Sequence, residues 1–398
     1  MTLSEKRANH GDHIDRISDL PCNVIDGILE RLNIQELVST SLLSRKWRYM
    51  WNSVPQLQFC EDFFCRFEDL NDPGPEISRI ITEILLLHNG PIYRFILDIP
   101  LFSNILITTE ILNKWVLFLS RRGIKDLALV NYATFFNQMP SHVFSCQELT
   151  HFWFSGFNVS VPPNFRGLKK LLVLQLDHNT YEFGALESLI SGCPLLEELS
   201  IELFGDMKSI CLKKAKNLTD LLLTVNQESV SGLIKSLPEI QRLAMESYRN
   251  KFDLLKHYAD IIPPSQLISL KYLKLNSVNL DERGELYYIV SVLKSASNLV
   301  ELFIESRDEE EPDQPEELEC TSCCLSRLQT VIISTGTIFK NAMSLAQFIL
   351  ANSSSLTTLT FKIYLGYEKS DATLLSSISR DLSMMQRASL KARIKVLH

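Results

Sequence analysis

From about residue 92 the chain repeats one hydrophobic signature, apolar-x-x-apolar-x-apolar, at intervals of 22 to 32 residues. The units are Ile92/Phe95/Leu97, Ile124/Leu127/Leu129, Leu149/Phe152/Phe154, Leu171/Leu174/Leu176, Leu196/Leu199/Ile201, Leu218/Leu221/Leu223, Ile240/Leu243/Met245, Leu270/Leu273/Leu275, Leu299/Leu302/Ile304, Leu328/Val331/Ile333 and Leu356/Leu359/Phe361. The last two apolar positions of each unit alternate, as a short strand with one buried face requires, and the remainder is long enough to return the chain through a helix or loop. Stacked units of this kind predict a curved α/β solenoid with a parallel sheet on its concave face. An apolar stripe recurring at the repeat interval is solenoid core rather than the lining of a cofactor or lipid pocket.

Leucine-rich repeat is the natural name for the pattern, in a divergent form with irregular intervals and no asparagine at the usual turn position. Ahead of it, residues 15–54 read as three short helices. Pro21 sits in the first turn of the first, where its missing N–H costs nothing, and Val24, Ile25, Ile28, Leu29 and Leu32 form an apolar stripe. Asn33 with Glu36 makes a capping box for the second, whose inner face is Leu37, Val38, Ser41 and Leu42. Ser44 caps the third, which carries Trp47, Met50, Trp51 and Val54. Three short helices cannot hide this many large apolar side chains. Periodicity leaves two readings even: a cap on the first repeat, or a surface that packs on a partner's helices.

Composition narrows the field. Apolar residues make up 45% and charged residues 22% of 398 residues, as in soluble globular chains. The net charge of -7 is concentrated in Asp308 to Glu319, which holds acids and no base, so the body is nearly neutral and offers no broad basic face for nucleic acid. The nine cysteines have no framework spacing and the N-terminus lacks the apolar stretch of a signal peptide, which predicts reduced thiols in cytoplasm or nucleus. The most apolar stretch, Ile92 to Leu119, is interrupted by Arg94, Asp98, Pro100, Glu110 and Lys114, so no membrane span is expected. Cys320-Thr321-Ser322-Cys323 lacks a second ligand pair for zinc, and His10 and His13 have no fixed third ligand. Cys146 and Cys193 read as structural thiols. The acidic run, with Pro312 and Pro315, reads as an insertion between repeats. No phosphate-binding glycine loop, nucleophile elbow or His-Glu-x-x-His pattern occurs.

The segment Leu20-Pro21 with Val24, Ile28, Leu29 and Leu32, followed by Thr40 to Trp51 (TSLLSRKWRYMW), resembles the F-box of the large plant F-box family. Lys46, where a second Arg is common, and Ser39, where a basic residue is frequent, depart from the family pattern at charged positions and leave the apolar anchors in place. The resemblance implies that residues 15–60 bind a Skp-type adaptor, and through it a cullin. The residues it implicates are Leu20, Pro21, Val24, Ile28, Leu29, Leu32, Leu37, Val38, Ser41, Leu42, Leu43, Ser44, Arg45, Trp47 and Trp51. Leu85 to Ile92, Trp115 to Ile124 and Leu189 to Leu199 are similar to segments of F-box/leucine-rich-repeat/FBD proteins. Leu325 to Ile333, Ala346 to Phe361 and Arg387 to Ser389 resemble the FBD region. The expected organisation is a tail over 1–14, the F-box, a linker or cap over 61–91, repeats over 92–320 with an acidic loop at 306–320, and an FBD-like region over 321–398 that continues the solenoid.

A member of that family is a non-catalytic substrate receptor of an SCF-type ubiquitin ligase, with no cofactor, metal, nucleic-acid or membrane partner. The repeats would then hold the target protein on the concave face, where Trp153, Tyr272 and Phe303 are expected aromatic anchors and Glu198, Glu202, Glu301 and Glu305 would favour a basic or mixed-charge peptide. The alternative from a different class is a plain repeat scaffold that binds a protein without directing ubiquitin transfer.

Overall fold

Every apolar unit of the pattern is a strand in the computed structural model, which describes residues 17, 19–101, 104–132, 137–203, 212–225, 239–247, 267–281, 283–306, 318, 325–336, 340–364 and 372–397. The strands are β1 (Gln56–Phe59), β2 (Arg94–Ile99), β3 (Asp126–Asn131), β4 (Asn137–Gln138), β5 (His151–Ser155), β6 (Phe157–Val159), β7 (Val173–Asp177), β8 (Thr180–Tyr181), β9 (Glu198–Leu203), β10 (Asp220–Val225), β11 (Arg242–Ser247), β12 (Tyr272–Val278), β13 (Glu301–Ser306), β14 (Thr330–Thr335), β15 (Thr358–Ile363) and β16 (Arg393–Leu397). All but β4, β6 and β8 join one 13-stranded sheet in chain order, and those three make a small second sheet. The pairing is parallel throughout, for example β2 on β3 and β10 on β11.

The register explains the sequence pattern. It stacks Leu57, Phe95, Leu127, Phe152, Leu174 and Leu199 side by side. The ladder continues through Leu221, Leu243, Leu273, Leu302, Val331 and Leu359. All twelve are buried. Each contributes about 1.5–3 kcal/mol by leaving water, so a single substitution in the ladder is felt by two neighbouring repeats. Two strands of the large sheet escaped the pattern, besides the three of the small one: β1 alternates its apolar residues with glutamines, and β16 lies beyond the longest interval of the pattern and alternates with Arg393 and Lys395.

Residues 61–91, expected to be a linker or cap, hold two α-helices, Glu61–Phe64 beneath the N-terminal module and Gly74–Leu87 between β1 and β2, where a repeat has its return helix. Helices Thr109–Ser120, Ala185–Ser191, Arg283–Ser295, Lys340–Asn352 and Ala372–Met384 occupy returns further along, the last two within the expected FBD-like region.

The N-terminal module departs from three regular helices. Cys22–Leu29 and Ile34–Ser39 are α-helical, Thr40–Leu42 is a 3₁₀ turn, and Trp47–Ser53 is 3₁₀ rather than α. Pro21 stands just before the first helix, its carbonyl accepting from the Val24 and Ile25 N–H groups at 2.9 and 3.1 Å. The capping box forms as expected: Asn33 Oδ1 accepts from Gln35 N and Glu36 N at 3.1 and 2.9 Å, and Glu36 Oε2 accepts from Asn33 N at 3.3 Å. The last segment has its cap position at Lys46, which makes no side-chain cap hydrogen bond, and the segment tightens to i→i+3 winding. The same tightening moves Leu42 off the inner face, because in 3₁₀ geometry Leu37 shares its face with Thr40, and Leu42 is 87% exposed.

Module and solenoid are one body. Asn89 N and Tyr93 N donate to Asn52 O and Pro55 O at 2.8 and 2.9 Å. His88 Nε2 lies 2.9 Å from Val54 O, and Gln35 Nε2 donates to Asp62 O at 2.8 Å. A single apolar core runs from Ile25 to Ala392. The acidic run other than Leu318, the Cys320–Cys323 spacing, His10 and His13 lie outside the described residues.

Candidate protein-interaction site

Burial divides the expected adaptor-binding residues. Pro21, Val24, Ile28, Leu42, Leu43 and Arg45 are exposed; Leu20, Leu32, Val38, Ser41 and Ser44 are half-buried. Leu29, Leu37, Trp47 and Trp51 are buried. Those four were expected at a partner surface; in the structure they belong to the apolar core that continues into the solenoid, where large aromatic side chains hide most area. Tyr49, absent from the expected set, is 68% exposed beside the exposed leucines in sequence. Its alternation with buried Trp47 and Trp51 was the signal that could have found it. Leu43 is 62% exposed. A row of bare aliphatic side chains on short helices is unusual for a free surface.

The second surface is the face of the large sheet opposite the leucine ladder. Its residues fall into rows set by register. One row carries Trp153, Gln175, Ser200, Leu222, Ala244, Lys274 and Phe303. Trp153 is half-buried and its indole N–H donates to Asp177 Oδ2 at 2.9 Å. Tyr272 and Phe303 touch across neighbouring strands with ring centroids 5.2 Å apart. The Arg242 guanidinium lies 4.1 Å from the Tyr272 centroid, while its Nε is 2.9 Å from Asp220 Oδ1. Glu198 and Glu305 are exposed and Glu301 is half-buried. Glu202 is not available as a surface acid: its side chain is 5% exposed and its Oε2 accepts from His178 N at 2.9 Å and faces His178 Nδ1 at 2.6 Å. His178 has left-handed backbone, with φ 51°. Burial raises the Glu202 and Asp177 carboxyls above their ordinary range; His178 opposes the shift at Glu202, and the Trp153 hydrogen bond opposes it at Asp177.

Among the described residues no group of three or more His, Cys, Asp or Glu is placed to hold a metal, and no helix is long and apolar enough to cross a membrane. Cys146 and Cys193 are buried, and burial pushes both thiols up to about 12, far from the thiolate that reactivity needs.

Residues 17–59 match the F-box domain family. Residues 112–276 match the family described as FBD-associated F-box protein At5g56370, LRR repeats. The chain carries an F-box and FBD-associated leucine-rich repeats. The similarity is continuous in one relative: F-box/FBD/LRR-repeat protein At1g13570 of Arabidopsis thaliana is 29% identical over 96% of this chain and 99% of its own length. F-box/LRR-repeat protein 13 of the same organism is 24% identical over 75% of this chain and 66% of its own. Among solved structures, an internalin (inlF) of Listeria monocytogenes aligns over 81% of this chain and 95% of its own at 13% identity and a TM-score of 0.36. In family terms the first surface is the F-box and the second belongs to its repeats.

Proposed function

We propose that the chain is the substrate-binding subunit of a Skp–cullin–F-box ubiquitin ligase. In this reading the F-box binds a Skp-type adaptor, which carries the complex to a cullin, and the open face of the repeat sheet holds the protein to be ubiquitinated. The observation that carries the reading is the two-sided F-box, one side burying Trp47 and Trp51 in the core and the other offering Val24, Ile28, Leu42, Leu43 and Tyr49 to solvent. Aliphatic side chains left bare on a well-packed helical module are what a helical partner would cover.

The mechanism is positional. The chain makes and breaks no bond; it raises the effective concentration of a target lysine near a ubiquitin thioester carried elsewhere on the scaffold. The hydrogen bonds linking Asn52, Val54 and Pro55 to residues 88–93 suit this, because a rigid junction keeps the captured target at a fixed place relative to the adaptor. Co-expression of the full chain with a Skp-type adaptor and a cullin tests the proposal. A stable complex that ubiquitinates a bound protein is the expected result. Failure to retain the adaptor, with the body folded by circular dichroism, would leave a repeat scaffold in its place.

A further inference from the structure

The open face of the sheet has a depression between two aromatic shoulders. Along the row from Trp153 to Phe303, the small side chains of Ser200 and Ala244 flank Leu222 on the intervening strand. The resulting hollow of about 280 Å³ is lined by Gln175, Glu198, Ser200, Leu222, Ala244 and Tyr272, with Asp220 and Arg242 at its edge. The last two neutralise each other at 2.9 Å, and Arg242 is further held over the Tyr272 ring. Glu198 is exposed and has no ion-pair partner among the described residues, so the hollow carries one uncompensated negative charge at its rim above an apolar floor.

We infer that this depression takes a single arginine or lysine side chain of the target protein, its stem lying on Leu222 and Ala244 and its cationic head facing Glu198. The inference rests on the reading of this face as the target-binding surface. An apolar floor with a charge at the mouth suits a long side chain that is hydrocarbon for most of its length and charged only at the tip.

Spacing adds a second element. In the sheet order Tyr272 lies two strands from Leu222 on one side and Trp153 three strands away on the other. At about 4.8 Å per strand these are separations of about 10 and 14 Å, which an extended segment at about 3.3 Å per residue spans in three and four residues. The recognised segment therefore has a basic residue with an apolar residue three positions away on the Tyr272 side and another four positions away on the Trp153 side.

Fluorescence anisotropy tests this with the purified full chain, to which a Skp-type adaptor is added in a parallel measurement. The probe is a labelled serine-based peptide with leucine at its first position, arginine at its fifth and phenylalanine at its eighth, together with the reversed sequence. At least one direction is expected to bind, and replacing arginine by glutamate is expected to weaken it about tenfold. Glu198→Lys is expected to remove that preference and favour the glutamate peptide. Ala244→Trp, which fills the hollow without changing charge, is expected to abolish binding. Equal binding of the arginine and glutamate peptides, no binding of either direction, or wild-type affinity in either variant would overturn the inference. Adaptor capture is read in that parallel measurement: arginine preference without adaptor capture overturns only the ligase reading, and adaptor capture without the preference overturns only the depression.

Discussion

Replacing Leu42 and Leu43 together by alanine separates docking from folding. Leu42 is 87% and Leu43 62% exposed, so neither contributes much to the folded chain, and the double change is expected to move unfolding stability by less than about 0.5 kcal/mol. If a Skp-type adaptor covers them, the surface removed amounts to roughly one and a half leucine side chains, worth about 3 kcal/mol or about 150-fold in Kd. Trp47→Ala is the contrasting variant. Trp47 is 2% exposed in the apolar core, so its loss is expected to cost about 3–5 kcal/mol of stability, with adaptor binding weakened only as far as the module unfolds. Titration calorimetry with purified adaptor gives the affinities, and urea unfolding followed by tryptophan fluorescence gives the stabilities. The reasoning is refuted if Leu42→Ala/Leu43→Ala binds the adaptor with wild-type affinity, or if the pair destabilises the fold as much as Trp47→Ala.

Gly156 has φ +82°, and a Cβ there would overlap the Asn131 carbonyl oxygen, whereas Gly184 has φ +74° with nothing near its absent Cβ. Both alanine variants should lose about 1–3 kcal/mol from left-handed backbone alone, and Gly156→Ala clearly more than Gly184→Ala by urea unfolding; equal losses would mean that the close approach is soft. His88 is buried at the junction with its pKa lowered, chiefly by burial and against the hydrogen bonds to Val54 and Gly90. The unfolded chain therefore binds a proton more readily than the folded one, so stability is intact above about pH 6.5 and is lost as pH falls below it. His88→Gln should flatten that part of the pH–stability curve, and an unchanged acid slope would show that other groups set it.

The solenoid was legible because its signal is repeated. One period, counted along the chain, placed the strands of the large sheet from β2 to β15, since each central leucine must meet the next in register and the sequence states this many times over. The two edge strands were missed for the same physical reason: β1 and β16 have a neighbour on one side only, so fewer of their residues need be apolar, and QLQF and RIKVL carry a weaker pattern. Site residues were harder. Glu202 occupies the same register position as Thr224 and Glu246, and alternation alone places all three on the open face. Its burial goes with its contacts to His178, a residue with left-handed backbone 24 positions earlier. Leu42 failed for the opposite reason, because the period assumed was 3.6 where the chain winds at three.

The N-terminal module posed an alternative that periodicity left even, between a cap on the repeats and a surface for a partner. Capping is a physical need: the first strand of a parallel sheet has an open edge and an exposed end of its apolar core. Ile34, Leu37, Trp47, Trp51 and Val54 meet it, being buried in the same core as Leu57 and Phe59 of β1. Capping uses one side of each short helix, which is all that two turns can bury. The other side carries Val24, Ile28, Leu42 and Leu43, aliphatic side chains that the solenoid does not need and cannot reach. A module that only capped would gain by having polar residues at those positions, since bare leucines invite aggregation. Their retention is therefore the part of the sequence that capping leaves unexplained, and a partner that covers them explains it, so the two readings belong to opposite sides of the same helices.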